Sequence, residues 1–331
     1  MALAVGGSRL MGYTTAQGDL QLRSVLAELM RERGVSAAPD EIIVTAGVTN
    51  GMALATALFA RPGDAVLVEQ PTYLGLLNIL AVQGVRPVGV AMDDEGLQLD
   101  ALEAAIIAER PAFLYTIPTY QNPSGLCMSA ARREAVLELA RRHKLLIVED
   151  DVYGRLNLEG SAPLALKAQD REGLVLYLSS FSKSLMPGLR IGYAVAAPAI
   201  IERLALLRQA QDICSPLLTQ RALALFIEQG WWHAHLRRML PRYRERRDAL
   251  LQASIASCQQ QSAGRVPSAV LAAGGPCPVR SRGQSCILAR SRGISPSCRV
   301  MSSRLHPMAT ATCASVSAAS SPSALPSRWR R

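Results

Sequence analysis

The stretch Leu174–Ala196 reads LVLYLSSFSKSLMPGLRIGYAVA. Two apolar runs, Leu174–Ser179 and Arg190–Ala196, flank a loop crowded with hydroxyls, the pattern of strand, connection and strand. In that loop stands Lys183, one of only three lysines in the chain, with Arg190 seven positions on. A lysine amine condenses with an aldehyde when its surroundings lower its proton affinity. Serine hydroxyls with an arginine fork suit a phosphate. A cofactor with both groups is pyridoxal 5′-phosphate. Taken alone, the loop also suits a surface lysine in a polar turn.

Working outward, short β-branched runs recur at Glu41–Thr45, Ala65–Glu69, Pro87–Met92, Ala112–Thr116 and Leu145–Asp150. Helix-like segments such as Leu99–Arg110 and Ser129–His143 separate them, the second with Ser129 placed as its cap. Counted with the two runs above, this predicts a mainly parallel, seven-stranded sheet in an α/β fold, with helices on both faces. Ligands then bind at the carboxyl ends of the strands. From Pro198 the pattern turns helical, ending in a basic helix around Trp231–Leu251.

Three further stretches lie at expected strand ends. Glu149-Asp150-Asp151-Val152-Tyr153 closes an apolar run. Pyridoxal chemistry needs a carboxylate beside the pyridine nitrogen, and Asp150 is the candidate, with Tyr153 in reach of the ring hydroxyl. Acids there also serve as metal ligands or solvated turn residues. Gln121-Asn122-Pro123-Ser124-Gly125 is ordinary turn chemistry, in which Asn122 offers an amide donor. Gly47-Val48-Thr49-Asn50-Gly51 opens a helix whose first N–H groups, with the Thr49 hydroxyl, form an anion site. Its spacing matches neither nucleotide loop, so ATP and NAD are not indicated.

Tyr13, the Gly47–Gly51 turn, Tyr73, the Gln121–Gly125 turn, Asp150 with Tyr153, and Ser180–Arg190 occur in the order found in fold-type I aminotransferases. Over residues 11–250 the chain resembles the class I/II group that includes 2-aminoadipate-type transaminases, and also the C-terminal part of winged-helix regulators of the MocR type. The resemblance implies that Lys183 carries the cofactor as a Schiff base and shuttles the proton of the substrate. It implies that Asp150 pairs with the ring nitrogen, that Asn122 and Tyr153 bind the ring hydroxyl, and that Tyr73 stacks on the ring. Val48, Thr49, Ser180, Ser182 and Arg190 would cradle the phosphate. Tyr13 would reach the phosphate of the partner subunit in a homodimer. The substrates implied are an amino acid and a 2-oxo acid.

The family's small C-terminal domain, with its arginine for the substrate carboxylate, is not recognisable, so no residue is assigned that role. The expected organisation is a shortened N-terminal segment (1–12), a cofactor-binding large domain (13–230), a linking helix (231–254) and an atypical tail (255–331). The net charge of +10 resides entirely in that tail, which has ten arginines, no lysine and no acid. It also holds five of the seven cysteines, without CxxC pairs, and sixteen serines. The tail lacks interleaved aromatics for nucleic-acid stacking and the cysteine spacing of a zinc site. Three readings compete for it, an arginine-rich nucleic-acid tail, a disulfide-rich secreted module and the product of a shifted reading frame in a GC-rich gene; the last is favoured, and the tail is expected to be disordered. Nucleic acid is not expected to bind this chain alone, since residues 1–12 are too short for a DNA-binding domain. No apolar run is long enough to span a membrane. No secretory leader is recognisable, so the expected compartment is the cytoplasm.

Overall fold

The computed structural model describes residues 7–160 and 163–260. The compact unit that ends at Asp248 carries the sheet, and the second unit, from Ala249, is described only as helix to Gln260. The expectations for 1–6 and for the tail beyond 260 lie outside the described residues.

Eight strands form one mixed sheet in the order β1-β8-β7-β6-β5-β2-β3-β4. They are β1 (Ile42–Thr45), β2 (Ala65–Gln70), β3 (Arg86–Asp93), β4 (Gly96–Leu97), β5 (Phe113–Thr116), β6 (Ile147–Asp150), β7 (Val175–Ser180) and β8 (Gly192–Val195). Seven coincide with the runs read from the sequence. The eighth, β4, corrects the expected strand number: two residues turn back antiparallel onto β3 at Met92 and Asp93. A two-residue strand is too short to show a period, and Gly96, at φ +121°, makes the reversal.

Strands β3, β2, β5, β6 and β7 run parallel, and β8 runs antiparallel between β7 and β1. Every residue of β1, β5, β6, β7 and β8 is buried, so both faces of the sheet's centre are covered. Alternation along β7 separates the two faces. Tyr177 joins Ile42, Val44, Tyr193 and Val195 in one core cluster. Leu178 points the other way, onto Gly51 of the helix after β1.

The first cluster is closed by α1 (Leu20–Arg31), whose Leu22, Leu26 and Met30 repeat at four-residue spacing and are all fully buried. Truncating such a leucine to alanine costs about 2–5 kcal/mol. The Asp19 carboxylate caps α1 at Leu22 N, 3.1 Å away. The remaining helices are α2 (Val48–Phe59), α3 (Leu74–Val82), α4 (Leu99–Glu109), α5 (Ala130–His143), α6 (Pro198–Asp212), α7 (Leu217–Glu228) and α8 (Trp231–Gln260). Ser129 caps α5 as read, accepting from Arg132 N at 3.2 Å. Among the described residues no helix is long and apolar enough to cross a membrane.

Candidate functional site

The topology brings most of the sequence candidates to one edge of the sheet. Because β1, β2, β5, β6 and β7 point the same way, their carboxyl ends share that edge with the start of β8. Gly47, Val48 and Thr49 follow β1, Tyr73 follows β2, and Asn122 follows β5. Asp150 closes β6, Ser180 closes β7, Ser182 and Lys183 follow it, and Arg190 precedes β8.

Asp150 is buried, and its Oδ2 accepts a 2.7 Å hydrogen bond from the Tyr115 hydroxyl. Its Oδ1 is also buried but has no partner of hydrogen-bonding geometry. A buried acceptor left this way costs about 1–3 kcal/mol; the backbone N–H of Val152 also favours the ionised carboxylate, without reaching Oδ1 in hydrogen-bonding geometry. Burial pushes the carboxyl up to about 7, against the pull of the Tyr115 hydroxyl. The Tyr115 hydroxyl is itself raised well above its ordinary value by burial and by the Asp150 charge.

Asn122 Nδ2 donates to the Tyr153 hydroxyl at 3.2 Å, joining the turn after β5 to the loop after β6. Burial raises the Tyr153 phenol, which Asn122 opposes and the nearby Asp150 and Tyr73 reinforce. The Tyr73 ring lies across the first turn of α3, where a Cβ on Gly75 would meet it at 2.4 Å.

At the start of α2, Gly47 adopts φ +86° as the cap. The Arg190 guanidinium crosses directly above it and would stand 2.9 Å from a Cβ there. Arg190 donates to Ala46 O at 3.1 Å. Gly192 also approaches the Gly47 backbone, where a Cβ would lie at 2.6 Å. Two glycines thus let an arginine fork and a helix N-terminus converge, an arrangement suited to an anion. Ser180 Oγ accepts from Ser182 N at 3.4 Å in the adjoining turn. Lys183 is exposed there and makes no hydrogen bond or ion pair among the described residues. Tyr13 stands apart: it is 82% exposed and no hydrogen bond joins it to the other candidates.

The sequence reading missed the groups that hold these residues. Asp151 is fully buried against Arg33 Nε at 2.8 Å and also accepts from the Tyr177 hydroxyl at 2.8 Å. Burial draws the Arg33 guanidinium down, but Asp151 outweighs it and the group is held above its ordinary value. This pair ties the segment after α1 to the end of β6 and the loop beyond it, which carry Asp150 and Tyr153. Glu69 and Gln121 hold the loops after β2 and β5. The available signal was a tyrosine or acid inside an apolar strand, which demands a buried partner. No cluster of metal-ligating groups occurs among the described residues.

A mixed sheet with a lysine, an anion cradle and an unpaired buried carboxylate at its carboxyl edge defines the class. The chain belongs to the aminotransferase class I and II family, whose model matches residues 4–273. It is 37% identical over 252 residues to aromatic-amino-acid aminotransferase 1 of Thermococcus litoralis, covering 74% of this chain and 60% of that one. It is 39% identical over 231 residues to an uncharacterised HTH-type transcriptional regulator, YjiR of Escherichia coli, covering 70% and 49%. Among solved structures, LysN, the α-aminoadipate aminotransferase of Thermus thermophilus, superposes with a TM-score of 0.71 at 34% identity, covering 78% of this chain and 65% of that one. That structure is complexed with N-(5′-phosphopyridoxyl)-L-leucine. The chain thus spans about 60% of the aminotransferase relative and about half of the regulator.

Proposed function

We propose that this chain is the large domain of a pyridoxal-phosphate-dependent aminotransferase that moves an amino group between an amino acid and a 2-oxo acid. The observation that carries the reading is the unpartnered Oδ1 of Asp150, at the sheet edge that also bears Asn122, Tyr153 and Lys183. Family membership supports it. When bound, pyridoxal phosphate supplies an aldehyde that condenses with amines and a protonated ring that withdraws electrons.

In this reading Asp150 Oδ1 accepts a ring N–H and keeps that proton in place. Ionising a carboxyl that burial has raised to about 7 is offset by the positive charge it meets. Asn122 Nδ2 and the Tyr153 hydroxyl donate to the ring oxygen, and Tyr73 covers the ring face. The N–H groups at Val48 and Thr49, the Ser180 and Ser182 hydroxyls and Arg190 hold the phosphate. Lys183 Nζ, engaged with no other group, would hold the cofactor through its aldehyde and would be the base for the substrate's α-proton. The same proposal includes a cytoplasmic homodimer, in which the exposed Tyr13 reaches the partner subunit's phosphate. A second reading, favoured by the 39% identity to the E. coli regulator, is the effector domain of a transcription regulator, where the same residues bind the cofactor without sustained turnover.

The test is the visible absorption spectrum of the purified chain with pyridoxal phosphate, before and after borohydride reduction, with the modified residue mapped by mass spectrometry. A species trapped on Lys183, and absent from Lys183→Ala, supports the reading. A folded chain that traps nothing overturns it. Screening amino donors for single-turnover bleaching then separates enzyme from sensor.

A further inference from the structure

We infer that Glu69 is a positioning residue for the cofactor ring: through Gln121, its carboxylate holds the two loops that carry Asn122 and Tyr73 in register. The inference rests on the reading above and concerns a residue to which that reading gives no role.

Glu69 lies near the end of β2, 1% exposed, and is surrounded by donors. Oε1 accepts from Thr116 Oγ1 at 2.5 Å and from Ile117 N at 3.1 Å, both where β5 ends. Oε2 accepts from Gln121 Nε2 at 3.0 Å. The same Nε2 donates to Pro71 O at 2.8 Å, in the loop that leads to Tyr73. Gln121 Oε1 accepts from Ser124 N at 2.8 Å and from Ser124 Oγ at 2.6 Å, closing the turn around Asn122. The Gln121 amide is therefore saturated, with two donors and two lone pairs all used. Its orientation is unambiguous, because Nε2 meets two acceptors and Oε1 meets two donors.

A merely space-filling role does not account for an acid here. Among the described residues no cation pairs with Glu69, and burial raises its carboxyl to about 7 while three donors pull it back. An uncompensated buried carboxylate costs several kcal/mol, which an apolar residue of similar volume avoids. The Ile117 and Gln121 N–H groups, one on each oxygen, favour the ionised form, and that form orients Gln121. The titratable groups within electrostatic reach of Glu69 are Asp150 on β6 and Tyr115 on β5. On its other side β3 presents Val90.

Glu69→Gln tests this on the full chain. In either orientation, the new amide sets an N–H against the Gln121 or the Ile117 N–H. The expected result is an increase on the order of tenfold in the dissociation constant for pyridoxal phosphate, with a shifted midpoint in the pH titration of the bound cofactor's visible band. Both effects should shrink when Glu69→Gln is made in an Asn122→Ala or a Tyr73→Ala background, because the path branches to Asn122 and to Tyr73. An unchanged midpoint, or effects that add fully to those of both Asn122→Ala and Tyr73→Ala, would overturn the inference while leaving the cofactor reading intact. Should Glu69→Gln fail to fold, Gln121→Ala carries the same expectation and is overturned by the same unchanged midpoint. An unaltered chain that never develops the visible band overturns the cofactor reading itself, and this inference with it.

Discussion

Tyr115 donates its hydroxyl proton to Oδ2 of Asp150 at 2.7 Å, 35 positions away in the chain, and leaves Oδ1 of the same carboxylate without a partner. One oxygen is thereby anchored and the other reserved. Tyr115 sits on β5 and Asp150 closes the neighbouring β6, so the sheet's own register sets the pair.

This arrangement makes cofactor-free stability depend on pH. Asp150 binds its proton more tightly folded, at about 7, than an ordinary carboxyl at about 4. Its contribution is therefore complete below about pH 4 and is lost as pH rises through about 7. Asp150→Asn does not ionise, so at pH 8 it should melt several degrees above the unaltered chain, roughly the shift that 1–2 kcal/mol produces. At pH 4.5 the two should nearly coincide. Thermal melts of cofactor-free protein at the two pH values decide it.

Arg33 and Asp151 form a buried pair at 2.8 Å, with side chains 4% and 0% exposed. Arg33→Met strands the carboxylate and should cost about 3–5 kcal/mol in urea unfolding. Adding Asp151→Asn should recover part of that loss, because the stranded charge is what costs most.

Gly47 carries φ +86° beneath the Arg190 guanidinium. Gly47→Ala adds a Cβ 2.9 Å from Arg190 Nη2 and strains the backbone, at about 1–3 kcal/mol. Because both faults fall on the anion cradle, cofactor affinity should drop more than global stability does. Absorbance titration beside a denaturation curve compares the two.

Ser129 caps α5, its hydroxyl engaged with Arg132 N and the Glu95 carboxylate and with no residue of the cradle. Ser129→Ala should lower stability by about 1 kcal/mol and leave cofactor affinity unchanged. A matching loss of affinity would show that the two regions are coupled.

Local order carried much of this protein into view. Runs of five to seven mainly apolar residues marked seven strands; a strand buried on both faces tends to be continuously apolar, and only β3 among them is largely exposed. The Ser129 cap and the loop around Lys183 were legible because a helix start and a hydroxyl-rich turn are short-range patterns. The strand Gly96–Leu97 was not legible, being shorter than any period it could display.

What the sequence alone determined was the alternating architecture and the inventory of side chains at the strand ends. Which of those side chains meet was decided by tertiary structure. Glu69 reaches Gln121 across 52 positions, Arg33 reaches Asp151 across 118, and Arg190 reaches Ala46 across 144. These pairings follow from strand order and crossover, and no local spacing encodes either. The physical reason is that a buried polar atom must be satisfied wherever the fold places it, so its partner is known only once the fold is complete.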